Sequence, residues 1–140
     1  MLPANALIQG KYIIGKNSVV GDPRRKWEDR VFSGEIRREG DDTLLVGVVA
    51  DGVGSADFGS RGAQLAIDTF TRALERSRGS DIPSILEKAI ESANRAVYTE
   101  NQRNEGDGLT TLVAAIIYKD RCYIGNVGDS RAYWVQAGGK

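Results

Sequence analysis

The chain contains no histidine. That excludes Ser-His-Asp and Cys-His triads, histidine zinc sites and any imidazole acid or base. Acid-base chemistry must come from carboxylates, lysine, tyrosine or metal-bound water. Cysteine is almost absent: Cys122 stands alone, so there is no internal disulfide and no thiolate zinc site. Its apolar setting between Tyr118 and Ile124 predicts a buried strand position, where a free thiol behaves as a small hydrophobe. Net charge is absent too, with 19 basic and 19 acidic side chains, so there is no broad basic face for nucleic acid. No apolar run approaches the ~20 residues that cross a bilayer. The longest, Leu44 to Ala50, is strand-sized. Met1-Leu2-Pro3-Ala4-Asn5 carries no basic segment followed by a long apolar one, so no signal peptide is expected and the cytoplasm is the expected compartment.

What is present suits one domain. At 140 residues and 41% hydrophobic, the chain can bury a single core. Residues 11–20 read as a strand, closed by a turn at Gly21-Asp22-Pro23. A second strand is expected from about Asp29 to Ile36. After a turn at Gly40-Asp41-Asp42, Thr43 to Ala50 is apolar on both faces, as a central strand is. Gly52 to Gly62 is a glycine-rich loop passing into a helix, with Ala63, Ala66, Ile67, Phe70 and Leu74 on one face. A second helix starts near Asp81, has Pro83 in its first turn, and is expected to end before Asn101. Its stripe is Ile82, Ile85, Leu86, Ala89, Ile90, Ala93 and Val97. Three strands are then expected at about Leu109–Tyr118, Arg121–Val127 and Ser130–Gln136, the first two joined tightly by Lys119-Asp120. Strands, then two helices, then strands predict an α+β fold with mainly antiparallel sheet.

Three acidic clusters stand at expected strand ends: Glu28-Asp29, Asp51-Gly52 and Gly128-Asp129-Ser130-Arg131. Each has an ordinary reading, as a solvated charge cluster, a turn and a hairpin turn respectively. Together they suggest hard divalent cations held by oxygen ligands. A carboxylate at a strand terminus is held rigidly, and Gly52 lets the backbone come close enough for its carbonyl to serve as a ligand. Adjacent side chains of an extended Glu28-Asp29 point to opposite faces, which would let one bind metal while the other orients a bound water. Arg24 and Arg25 are candidates to grip a phosphate, because a guanidinium donates two parallel hydrogen bonds to its oxygens; an exposed basic loop is the plainer reading. Gly52-Val53-Gly54-Ser55-Ala56-Asp57 lacks the third glycine of a dinucleotide fingerprint, and there is no Gly-Lys-Ser/Thr phosphate loop.

The clusters, in this order and with these helices between them, resemble the amino-terminal half of the metal-dependent (PPM, type 2C) serine/threonine protein phosphatases. The matching segments are Arg24 with Glu28-Asp29, Val48 to Gly54, Gly59 to Ala63, Leu109 to Ala115 and Asn126 to Tyr133. The resemblance covers nearly the whole chain and implies a PPM-type domain over residues 1–140, as its amino-terminal portion. The implied fold is a four-layer α-β-β-α sandwich of mainly antiparallel sheets, incomplete at the C-terminus. It also implies that Asp51 bridges two Mn²⁺ or Mg²⁺ ions, with the Gly52 carbonyl and a carboxylate of Glu28-Asp29 completing one shell, largely through water. Asp129 matches an aspartate of an additional, weaker metal site, and Arg24 the family's phosphate-binding arginine. The implied activity is hydrolysis of phosphoserine and phosphothreonine in proteins by a two-metal activated water, without a phosphoenzyme.

Two departures qualify the resemblance. Val53 stands where some members carry a histidine proposed as general acid, and no acidic residue follows Asp129, although the family supplies at least two more aspartate ligands beyond that point. Weak metal binding and impaired turnover are therefore expected. The alternative is a non-catalytic pseudophosphatase or protein-binding module on the same scaffold. The expected partners are a phosphorylated protein, in opposition to a serine/threonine kinase, and a second copy joined as a dimer or strand swap through exposed sheet edges. No nucleic-acid or membrane partner is expected.

Overall fold

Thr43–Ala50 is the centre around which the described residues are arranged. In this computed structural model those residues are 6–9 (backbone), 12–19, 27–40, 42–55 and 57–138. Numbered along the chain, the strands are β1 (Ala6–Gln9), β2 (Tyr12–Gly15), β3 (Arg30–Arg37), β4 (Thr43–Ala50), β5 (Gly52–Val53), β6 (Leu109–Thr110), β7 (Leu112–Tyr118) and β8 (Arg121–Val127). The main sheet is antiparallel throughout, in the order β3-β4-β7-β8, with β1-β2 and β5-β6 as separate two-stranded ladders. The helices α1 (Phe58–Glu75) and α2 (Ile82–Asn104) lie over one sheet face.

Alternation decides which face is covered. Leu44, Val46, Val48 and Ala50 of β4 pack with Leu112, Ala114 and Ile116 of β7 beneath α1 and α2. Phe70 and Leu74 of α1 and Ile82 of α2 are fully buried in that core. The opposite face carries Val49 and Ile124, 44% and 47% exposed. Cys122 lies exposed on β8, not buried as its neighbours suggested, because β8 is an edge strand. Partial burial still pushes its thiol up, which keeps it protonated at neutral pH.

The helices begin and end where their chemistry dictates. Asp81 caps α2, its carboxylate accepting from the Ser84 N–H at 3.2 Å. The helix continues through Asn101 to Asn104, beyond the expected end, and closes at Glu105 in the left-handed region. Its polar last turn is used for bonding: Asn101 Nδ2 donates to the Gly108 carbonyl at 2.7 Å, and the Gly108 N–H donates to Asn101 Oδ1 at 3.1 Å.

The α+β class and antiparallel sheet agree with expectation. So does the two-residue turn, where Lys119 and Asp120 have φ of 46° and 66°, the conformation of a type I′ hairpin. Three elements differ. The strand expected over 11–20 is the shorter β2, paired with β1 before it, and residues 16–19 are irregular; the strand expected over 109–118 is divided at Thr111 into β6 and β7. Residues 130–136 form no strand: Tyr133, Trp134 and Val135 have the right composition but lie exposed beside no neighbouring strand. The turn expected at Gly21-Asp22-Pro23 lies outside the described residues. Among the described residues no helix is long and apolar enough to cross a membrane.

Candidate metal and phosphate site

Register brings the first two acidic clusters together. In the β3-β4 ladder Arg30 pairs with Ala50, so the next residues outward are Asp29 and Asp51. Asp51 follows β4 directly and precedes β5, whose Gly52 pairs with Thr110. The Asp51 backbone is fixed in both directions: its N–H donates to Thr111 Oγ1 at 3.1 Å, and its carbonyl accepts from the Thr111 N–H at 2.9 Å. Thr110 Oγ1 adds a donation to the same carbonyl at 3.2 Å.

The side chain of Asp51 sits among other acids. Its carboxyl is held above the usual range, first by burial, then by the charge of Asp29 and a hydrogen bond with it, then by the charges of Asp129 and Glu28. Thus the charges of Glu28, Asp29 and Asp129, drawn from two stretches of chain, are felt at the Asp51 carboxyl. Among the described residues, however, no three acidic, histidine or cysteine side chains are grouped closely enough to hold an ion by themselves. The donor set is nonetheless all hard oxygen, and its mutual repulsion is of the kind a divalent cation relieves.

Gly52 has a steric reason to be glycine. A methyl group on it would meet the Gly59 carbonyl oxygen at 2.2 Å and the Glu28 carbonyl oxygen at 2.9 Å. The loop carrying Asp51 is therefore pressed between the start of α1 and the Glu28 segment.

Further supports lie in residues that the acidic pattern did not single out. Asp107 Oδ1 accepts from the Ser55 N–H and from Ser55 Oγ, both at 2.9 Å, fastening the loop after β5 to the loop after α2. Those bonds, the backbone one first, hold the Asp107 carboxyl below the usual range. Thr111 Oγ1 lies 2.6 Å from Ser130 Oγ, beside Asp129. The sequence signal for these residues was slight: a Gly-Asp-Gly and a Thr-Thr pair just before an apolar strand.

An open cleft of about 480 Å³ lies against Asp29, lined by Lys16, Asn17, Ser18, Trp27, Arg30 and Val31. Arg30 Nη1 donates to the carbonyls of Trp27 and Asp29, at 3.0 and 2.8 Å, and so stiffens the turn that presents Asp29. Arg24 and Arg25 lie outside the described residues.

Comparison with known proteins identifies the family. The profile of the family described as Protein phosphatase 2C matches residues 27–140. Curated relatives include the serine/threonine phosphatase stp of Listeria welshimeri, 33% identical over 104 residues, covering 70% of this chain and 41% of that protein. The serine/threonine protein phosphatase PstP of Mycobacterium tuberculosis is 29% identical over 120 residues, covering 81% of this chain and 23% of that protein. The chain therefore spans less than half the length of either. Among solved structures, the M. tuberculosis phosphatase PstP/Ppp superposes with a TM-score of 0.67 at 27% identity, over 82% of this chain and 46% of that one. A catalytic domain of PstP described as a complex with 2 manganese ions matches equally well, with a TM-score of 0.67 at 27% identity, over 82% of this chain and 47% of that one. With the profile covering most of its length, the chain belongs to the protein phosphatase 2C family.

Proposed function

We propose that this domain takes part in hydrolysing phosphoserine and phosphothreonine in proteins, with Mn²⁺ or Mg²⁺ as cofactor. The observation that carries the reading is geometric: the β3-β4 register sets Asp29 beside Asp51, the Glu28 carbonyl crowds Gly52, and Thr111 ties Ser130, next to Asp129, to the Asp51 backbone. Asp51 is assigned the central cation ligand, with the Gly52 carbonyl and Glu28 or Asp29 beside it and Asp129 at an additional site. Arg24, with Arg25 next to it, is assigned the substrate phosphate. Bound divalent cations would supply the Lewis acidity that ionises a water near neutral pH and offsets charge on the phosphoryl oxygens. The clasp from Thr110 and Thr111 holds Asp51 still, and Arg30 holds Asp29 beside it. The cleft lined by Lys16 and Trp27 gives the phosphoprotein chain a place to lie next to Asp29. With neither histidine nor an activated cysteine, these residues favour direct attack by water over a phosphoenzyme.

Since no group of three acids is preformed among the described residues, we also propose weak cation binding and slow turnover for these 140 residues alone. Opposition to a serine/threonine kinase in signal transduction is the role that fits a phosphoprotein substrate. The edge strands β3 and β8 and the exposed face with Val49 and Ile124 favour pairing with a second copy.

The test is p-nitrophenyl phosphate hydrolysis with Mn²⁺, by this chain and by the whole gene product. Mn²⁺-dependent turnover, abolished by Asp51→Asn in both, supports the assignment. No turnover by either, with the fold intact, points to a non-catalytic binding module instead.

A further inference from the structure

We propose that Thr111 is a positioning residue that sets the placement of Asp129 relative to Asp51, acting through Ser130. The inference rests on reading both aspartates as cation ligands. Thr111 stands between β6 and β7, and its two side-chain branches face the two acidic segments at once. The hydroxyl accepts from the Asp51 N–H at 3.1 Å and lies 2.6 Å from Ser130 Oγ. A hydroxyl has one proton and two lone pairs, so it can serve both neighbours together. The backbone joins in, with the Thr111 N–H donating to the Asp51 carbonyl at 2.9 Å.

The methyl branch abuts the turn that presents Asp129. Gly128 has φ of +97°, and a methyl group there would lie 2.8 Å from Thr111 Cγ2. Turn and side chain are therefore in contact, and only glycine fits easily between them. A β-branched residue has one stiff χ1, so fixing the hydroxyl also fixes the methyl. The hydroxyl makes the connection to Ser130 and the methyl fills the space beside the turn: serine keeps the first, and valine keeps only the shape.

Mn²⁺ binding to the full chain, measured by calorimetry, distinguishes these roles when set beside the melting temperature in EDTA. Thr111→Val is expected to weaken Mn²⁺ binding about tenfold or more, as loss of an outer-shell partner does. Thr111→Ser is expected to stay within about threefold of the parent. Ser130→Ala should weaken binding as well, and the Thr111→Val/Ser130→Ala double variant should be no weaker than Thr111→Val alone, because both cut one connection. Affinity that simply follows melting temperature, or effects that add in the double variant, would overturn the proposal. Amide hydrogen exchange without metal gives an independent reading: Thr111→Val should loosen the Asp51 and Asp129 amides together, and Thr111→Ser neither. Loosening of Asp51 alone would also overturn it. If the parent takes up no Mn²⁺, the cation-site reading fails, while the exchange data still decide the role of Thr111.

Discussion

Asp29 and Asp51 stand side by side at the open end of the β3-β4 ladder, one step beyond the Arg30–Ala50 pair. Two carboxylates tolerate that approach only when they share a proton or a cation. The first choice costs the protein its charge; the second gives a binding site. Proton and metal should therefore compete for the same pair.

The competition fixes a pH dependence for the cation-free protein. Asp51 titrates higher in the folded chain than the ordinary 3.8, so folding takes up protons there. Its contribution is fully present below the unfolded pKa and is lost as pH rises through the raised folded pKa. In EDTA, Asp51→Asn should be the more stable protein at neutral pH, and its advantage should shrink on acidification. Excess Mn²⁺ should reverse the order, since a ligand at a hundred times its Kd adds about 2.7 kcal/mol to the parent alone. Urea midpoints across pH, with and without Mn²⁺, check this; a variant less stable than the parent in EDTA at pH 7 contradicts it.

Arg38 anchors the far end of the sheet. It is buried and forks onto Asp42, with Nε donating to Oδ1 at 2.7 Å and Nη2 meeting Oδ2. Nη1 donates to the Gly79 carbonyl at 2.8 Å, and the guanidinium lies over the Tyr118 ring at 5.3 Å. Asp42→Asn should cost about 1–3 kcal/mol in urea denaturation at pH 7, since it weakens the pairing of a buried cation. The hydrogen bond from Arg38 holds the Asp42 carboxyl below 3.8. Its stabilisation is thus present above the unfolded pKa and is lost as pH falls through the folded one. Parent and variant should converge in strong acid.

Gly52→Ala tests the crowding behind Asp51. The added methyl collides with the backbone of Gly59 and of Glu28, neither of which yields as a side-chain tip would. A stability loss of about 1–3 kcal/mol is expected from overpacking. Mn²⁺ affinity should fall further than the lost stability accounts for, because Glu28 and Asp51 are forced apart. Unchanged binding would show that their spacing is unimportant.

Self-association should depend on concentration. Light scattering is expected to give a dimer mass at high micromolar concentration, and a charge introduced by Val49→Lys should restore the monomer. A monomer mass for the parent across that range removes the case for pairing through the exposed face.

Much of the architecture was legible because it is local. The unbroken apolar run Thr43–Ala50 marked a central strand, and the 3–4 spacing of Ile82 to Val97 follows from burial of one helix face. Asp29 and Asp51 were legible as acids at strand ends, and pairing then juxtaposed them. What was not legible depends on partners distant in sequence. Ser130 to Gln136 has strand composition, yet a strand exists only beside another. Asn101 looked like a helix end because nothing nearby reveals its two bonds to Gly108. Thr111 and Asp107 bond across more than fifty positions, and no local pattern announces that.

The fastening of Ser55 to Asp107 also orders events in time. Asp51 and Gly52 are synthesised well before α2, but part of what restrains them, the bonds from Thr110 and Thr111 and the Ser55–Asp107 link close by, comes after it. A nascent chain still lacking those later residues has none of those bonds. The Asp51 loop thus gains its full set of restraints only when the segment after α2 has been made and folded against it.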